Sequence, residues 1–174
     1  ATGAKTATAS ADADVGNTHI LALRPVGLGV FQYRKSITIP EANLGGNCSA
    51  DLDDFPLLIS LTDTDLRDKA RGDGYDIVFR WDDGTCGGSP CQGLSHEIEE
   101  WESSTGKLIA WVRIPTLSES SDTTIYMYYG NPYVDVPSED PAGVWDVNYV
   151  GVWHLNESPN DGVAGHMDST GNSN

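Results

Sequence analysis

KLIAWVRIP (107–115) and TTIYMYYGN (123–131) decide the fold class. Both runs are rich in β-branched and aromatic residues and read as strands. In the second, Tyr126 and Tyr128 fall on one face and Ile125, Met127 and Tyr129 on the other. Upstream, FQYRKSITI (31–39) sets Phe31, Tyr33, Ile37 and Ile39 against Gln32, Arg34, Ser36 and Thr38. Lys35 interrupts the apolar row and is expected to snorkel outward. FPLLISL (55–61) is almost continuously apolar, which suits a central strand covered on both faces. YDIVFRW (75–81) aligns Tyr75, Ile77, Phe79 and Trp81, and SHEIEEWE (95–102) sets His96, Ile98 and Glu100 opposite Glu97, Glu99 and Trp101. THILALRPV (18–26) is apolar and extended, with Pro25 suited to an edge or a strand end.

Turn residues separate these runs at Gly45-Gly46-Asn47, Gly72-Asp73-Gly74, Asp83-Gly84, Thr105-Gly106 and Gly130-Asn131-Pro132. The one helix expected is short: Thr64 caps it, Gly72 ends it, and Lys69 and Arg71 complement the dipole of its last turn. Many short strands with frequent turns predict an all-β fold, an antiparallel, jelly-roll-like β-sandwich with at most one short helix. Residues 31–140 form the sandwich. Residues 1–30 read as a linker or the last strand of a preceding domain, and 141–174 as an extended C-terminal segment. The strand-like YVGVWHLNE (149–157) so near the end suggests a chain cut from a longer polypeptide.

The chain has 174 residues with 10 Lys plus Arg against 26 Asp plus Glu, a formal charge of −16. With no basic stripe to neutralise phosphates, nucleic acid is excluded as a partner. An anionic membrane surface is disfavoured for the same reason, and no apolar run approaches the ~20 residues of a membrane span. Acidic residues crowd the turns: Asp51, Asp53 and Asp54; Asp63 and Asp65; Asp73 and Asp76; Asp82 and Asp83. A solvated surface accounts for them. Calcium stays open as the only cofactor, but no segment fits the twelve-residue calcium loop, since Arg67 would occupy the third ligand position counted from Asp63. Cys86 and Cys91 bracket a Gly-Gly-Ser-Pro tip and are expected to form a disulfide in an oxidising compartment. Reduced thiols and a metal are the alternatives, and Cys48 is left over.

No nucleophile elbow, phosphate loop or dinucleotide fingerprint is present, and His19, His96, His154 and His166 fall in no catalytic pattern. The best enzymatic lead is Glu97 and Glu99, two carboxylates about 6.5–7 Å apart on one strand face, with Trp101 continuing that face. Such a pair beside an aromatic platform is the equipment of a glycosidase. A solvated strand looks the same, and the reading adopted is that the chain is not an enzyme. Trp101, Tyr126 and Tyr128 are the candidate sugar-stacking residues.

The ordered series FQYRKSITI, DFPLLISLTDTDL, DGYDIVFRWDDGT, HEIEEW, GKLIAWVRIPTLS and TTIYMYYGN resembles a prokaryotic extracellular domain of unknown function. The resemblance covers about residues 31–133. That family commonly precedes a laminin-G/concanavalin-A-like lectin domain, and VWDVNYVGVWHLNE…DSTGNSN is similar to the opening of one, broken off after its first strand. The family has no established catalytic residues. The resemblance implies a secreted, multidomain surface protein, adhesive or glycan-binding in role. The leading reading is a non-catalytic extracellular β-sandwich, a structural or adhesive module. The extended material over 1–26 and 148–156, which needs sheet partners, makes a filament subunit joined to other copies or neighbouring domains by β-strand addition a specific form of it. A carbohydrate-binding, calcium-dependent module with glycan partners is the alternative, and a glycoside hydrolase fragment the third reading.

Overall fold

The computed structural model describes residues 31–44, 48–82, 92–156 and 166–172. The fold is organised by β6 (Lys107–Leu117), which alternates without a break as far as Ile114: Leu108, Ala110, Val112 and Ile114 are fully buried and the residues between them are half-buried. β6 pairs antiparallel with β2 (Leu52–Thr62) on one side and β5 (His96–Glu102) on the other. β7 (Thr123–Tyr129) likewise lies between β1 (Tyr33–Ile39) and β3 (Val78–Arg80), and β4 (Gly93–Leu94) extends that sheet beyond β3. The two sheets, β1-β7-β3-β4 and β2-β6-β5, share one core in which the inner row of β6 meets Ile39, Phe79, Leu94, Ile125, Met127 and Tyr129. The chain is therefore an antiparallel β-sandwich. At Ser95 it leaves β4 in the first sheet and enters β5 in the second, turning a corner of the sandwich.

Several expectations are corrected. Among the described residues β2 ends its sheet, with Phe55 and Leu58 exposed by 37% and 46%. Its apolar run reflects the strand's length, and Pro56, which has no N–H to give a neighbour, suits an edge. Residues 75–77 turn before β3 begins, because the Asp76 side chain is drawn inward. β1 begins at Tyr33, although the burial alternation already runs through half-buried Phe31 and exposed Gln32, and Phe31 packs edge-on against Tyr128, with ring centres 6.2 Å apart. Two short α-helices are present among the described residues, α1 (Thr64–Lys69) and α2 (Pro141–Val144), with a 3₁₀ turn at Glu41–Leu44. α1 is capped by Asp63, one residue earlier than expected. Its carboxylate accepts the N–H of Asp65 at 2.8 Å and of Leu66 at 3.1 Å. The β5–β6 turn rests on this cap: Gly106 O accepts the Asp63 N–H, and a Cβ on Gly106 would overlap the Asp63 backbone. The expected Cys86–Cys91 bridge and the strand over 18–26 lie outside the described residues. Cys48 is a half-buried free thiol donating to Leu44 O at 3.3 Å.

Asp76, fully buried, closes one end of the sandwich. Its carboxylate accepts the backbone N–H groups of Arg71, Gly130 and Asn131 at 2.9, 2.7 and 3.0 Å, tying the loop after α1 to the end of β7. A buried carboxylate is tolerated only with such a full complement of donors. Asp76→Ala strands two buried donors, on Gly130 and Asn131, and a part-buried one on Arg71, each buried one worth roughly 1–3 kcal/mol. Urea denaturation should therefore show a loss of about 3–5 kcal/mol, with a smaller loss for Asp76→Asn.

His96 sits at the sandwich corner, with Nδ1 3.2 Å from Leu94 O and its ring edge-on to Phe79. Burial pushes its imidazole below the ordinary value, outweighing the carbonyls of Leu94 and Ile77 and the charge of Asp140. The unfolded chain then binds a proton that the folded chain refuses. Stability should hold above the ordinary imidazole value near ~6.5 and fall as the pH drops below it. In His96→Gln, urea midpoints measured across this range should lose that acid-side decline.

Candidate functional site: carboxylates and an imidazole beneath the C-terminal segment

Strict alternation in β5 fails at one residue. Ile98 is opposite Ala110 and Glu100 is opposite Ile109, so Glu99 is a supernumerary residue forming a β-bulge. Before the bulge, Glu97 faces outward opposite Trp111. After it the parity is reversed, and Trp101, opposite Leu108, turns toward the core. Its indole N–H is spent on Arg71 O at 3.1 Å. The bulge thus keeps Glu97 and Glu99 on the outer face and removes Trp101 from it.

The chain's own C-terminal segment covers this face. Glu139 accepts the Ile98 N–H at 2.8 Å, Asp140 N donates to His96 O at 2.9 Å, and Arg113 donates to Gly143 O at 3.2 Å. Asp140 caps α2, with Pro141 in its first turn. This delivers Trp145 onto Trp111, with ring centres 5.2 Å apart. Burial pushes the Glu139 carboxyl above its ordinary value and the nearby Glu97 charge adds to this, against the Ile98 hydrogen bond.

His154 lies between the two acids. Its Nε2 is 3.1 Å from Glu97 Oε2 and its Nδ1 is 3.3 Å from Glu99 Oε2. Glu97 Oε2 also accepts the Trp145 indole N–H at 3.1 Å, and Oε1 accepts the Ser169 hydroxyl at 2.5 Å. Glu99 Oε2 accepts the Trp111 indole N–H at 2.8 Å. Both ring nitrogens therefore face carboxylate oxygens, and a neutral imidazole, with one N–H, donates to only one of them. Further along, Asp168 accepts the N–H groups of Val152 and Thr170, each at 2.9 Å, and Asn172 donates to the carbonyls of Tyr149 and Val150. Residues 168–172 therefore fold back onto 149–154. The strand expected over 149–157 does not form among the described residues; one backbone hydrogen bond, Ser169 N–H to Val152 O at 2.9 Å, and several side-chain ones stand in place of a ladder.

The three expected stacking residues are not assembled into one platform. Trp101 packs against the core from β5 in the second sheet. Tyr128 is 6% exposed in β7 of the first sheet, and the half-buried Tyr126 lies 5.2 Å beneath the Arg34 guanidinium. Sequence reasoning missed His154, Trp111, Trp145 and Ser169 as partners of the acids. Their separations of up to 72 residues left no local signal, and the bulge at Glu99 carried none either. Among the described residues, no group of three or more His, Cys, Asp or Glu side chains is arranged to hold a metal ion. Surface depressions of about 250 and 200 Å³, one beside Asp76 and one beside Arg113, lie away from Glu97 and Glu99.

Removing either end of the bridge should loosen the segment without unfolding the sandwich. Glu97→Gln and His154→Ala are each expected to cost about 1–3 kcal/mol through partners left buried and unpaired. Limited proteolysis should cut within 145–156 sooner, and Trp145 emission should shift to the red as its ring becomes wetter.

Residues 73–149 match a family described as a domain of unknown function (DUF2341). The match runs from the loop before β3 to Tyr149, taking in the bulge, both acids, Trp111 and Trp145 and stopping short of His154. No curated protein matches the chain. No solved structure matches it.

Proposed function

We propose that this chain is a non-catalytic structural or adhesive module of an extracellular, cell-surface protein. The observation that carries the reading is the fate of its acid pair. Glu97 and Glu99, the residues best suited to glycoside chemistry, have their outer face occupied by the chain's own C-terminal segment and their oxygens engaged by His154, Trp145, Ser169 and Trp111. Carboxylates committed in this way clamp a segment and leave no room for a sugar and an attacking water between them. A charge of −16 keeps such a module soluble and repels non-specific association. Among the described residues no helix is long and apolar enough to cross a membrane.

Strand addition by another copy would use β1, which ends the first sheet among the described residues. β2 suits it less, because Pro56 lacks an N–H and the charges of Asp53 and Asp54 flank it on that edge. A second reading, glycan binding, is favoured by Trp153, which is 44% exposed.

Three measurements test these readings. Antibody labelling of intact source cells should detect the chain, and a purely internal location would overturn the surface reading. Incubation with a panel of polysaccharides should give no turnover by either the native chain or Glu97→Gln; turnover abolished by that substitution would make it a hydrolase. Binding on a glycan array, lost in Trp153→Ala, would promote the second reading over the first.

A further inference from the structure

We propose that Lys35 and Asp63 become joined by an intramolecular amide bond that the fold itself makes, with Asp65 moving the protons. Lys35 stands in the inward-facing row of β1, between Tyr33 and Ile37, where a lysine is out of place. Instead of reaching solvent, its ammonium contacts the Asp63 carboxylate and lies 3.4 Å from Asp65 Oδ2. The Lys35 and Asp63 side chains are only 33% and 22% exposed, beside the buried Leu66 and the stacked rings of Tyr33 and Tyr129.

The two oxygens of Asp63 are in different surroundings. Oδ1 accepts the backbone N–H groups of Asp65 and Leu66 at 2.8 and 3.1 Å, while Oδ2 faces the amine. Two fixed donors on Oδ1 polarise the carboxyl carbon and stabilise the oxyanion formed when an amine adds to it. The pair rests as ammonium and carboxylate and reacts through the neutral form reached when Lys35 passes one proton to Asp63 Oδ2. Asp65, held by Lys69 at 2.9 Å and 3.4 Å from the amine, takes the second proton as the amine adds and gives it up to the departing oxygen. The Lys35 Nζ–Asp63 Cγ bond forms and the Cγ–Oδ2 bond breaks. Two of the three ammonium protons leave with Oδ2 as water, and one stays on the amide nitrogen. Charge cancels, and no oxidant, reductant or co-reactant is needed. Condensation of an amine with an acid is unfavourable between free molecules in water. Two groups held in contact react at an effective concentration of up to roughly 10⁵–10⁸ M, which removes the entropic cost of bringing them together. The product would strap β1 of one sheet to the end of β2 in the other, across 28 residues of chain.

Mass spectrometry of the 174-residue chain, folded and then denatured, tests this. The expected mass is one water below that of the sequence, with a proteolytic map showing the Lys35 and Asp63 peptides linked. Lys35→Arg and Asp63→Ala should return to full mass. Asp65→Ala keeps both reacting groups and should also stay at full mass, with circular dichroism showing that it folds. Full mass in the native chain would overturn the proposal and leave an ordinary ion pair. So would a lost water that maps to a succinimide at Asp73-Gly74, Asp83-Gly84 or Asp161-Gly162.

Discussion

Burial of the β6 inner row against β7 is the constraint from which the other positions follow. Leu108, Ala110, Val112 and Ile114 lose all contact with water, as do Ile125 and Met127 opposite them. Each large side chain contributes roughly 1.5–3 kcal/mol to holding the sheets together. Because the side-chain period is two, a shift of one residue would turn the whole row to solvent, so the register is held firmly. That register places Lys107, Ile109 and Trp111 on the outer face, opposite Glu102, Glu100 and Glu97 of β5.

The polar features are fixed relative to this frame and are costly when incomplete. Asp76, Glu97 and Asp63 are each withdrawn from water by burial or partial burial, and each receives backbone, indole, imidazole or ammonium donors in return. Burial on its own would raise the Asp63 carboxyl and lower the Lys35 amine. Their hydrogen bond and mutual charge outweigh it, leaving Asp63 below and Lys35 above their ordinary values. The acidic surface and the donor-rich interior are thus two uses of one residue type. Exposed carboxylates supply charge, and withdrawn ones tie distant segments together.

The C-terminal segment shows how far such ties can replace regular structure. Residues 145–156 and 166–172 form no strand among the described residues, yet Trp145, His154, Ser169 and Asp168 each make specific hydrogen bonds. Packing of Trp145 on Trp111 and Tyr149 gives this cover an apolar layer of its own. Local stability of this kind depends on a few contacts and is separable from that of the sandwich beneath.

The sequence by itself determined the main strands of the sandwich, the two faces of β7, the short helix after β2 and the acidity, because each is written in a period or a composition spanning a few neighbouring residues. It could not show that FPLLISL ends its sheet among the described residues, since apolarity reports burial and not a strand's place in a sheet. Nor could it show that one extra residue at Glu99 turns Trp101 inward, since alternation read along a single strand does not see its partner's register. Only the tertiary structure brought His154 between Glu97 and Glu99 and Lys35 to Asp63. These meetings join residues 28 to 57 positions apart, and only the docking of separately formed layers makes them neighbours.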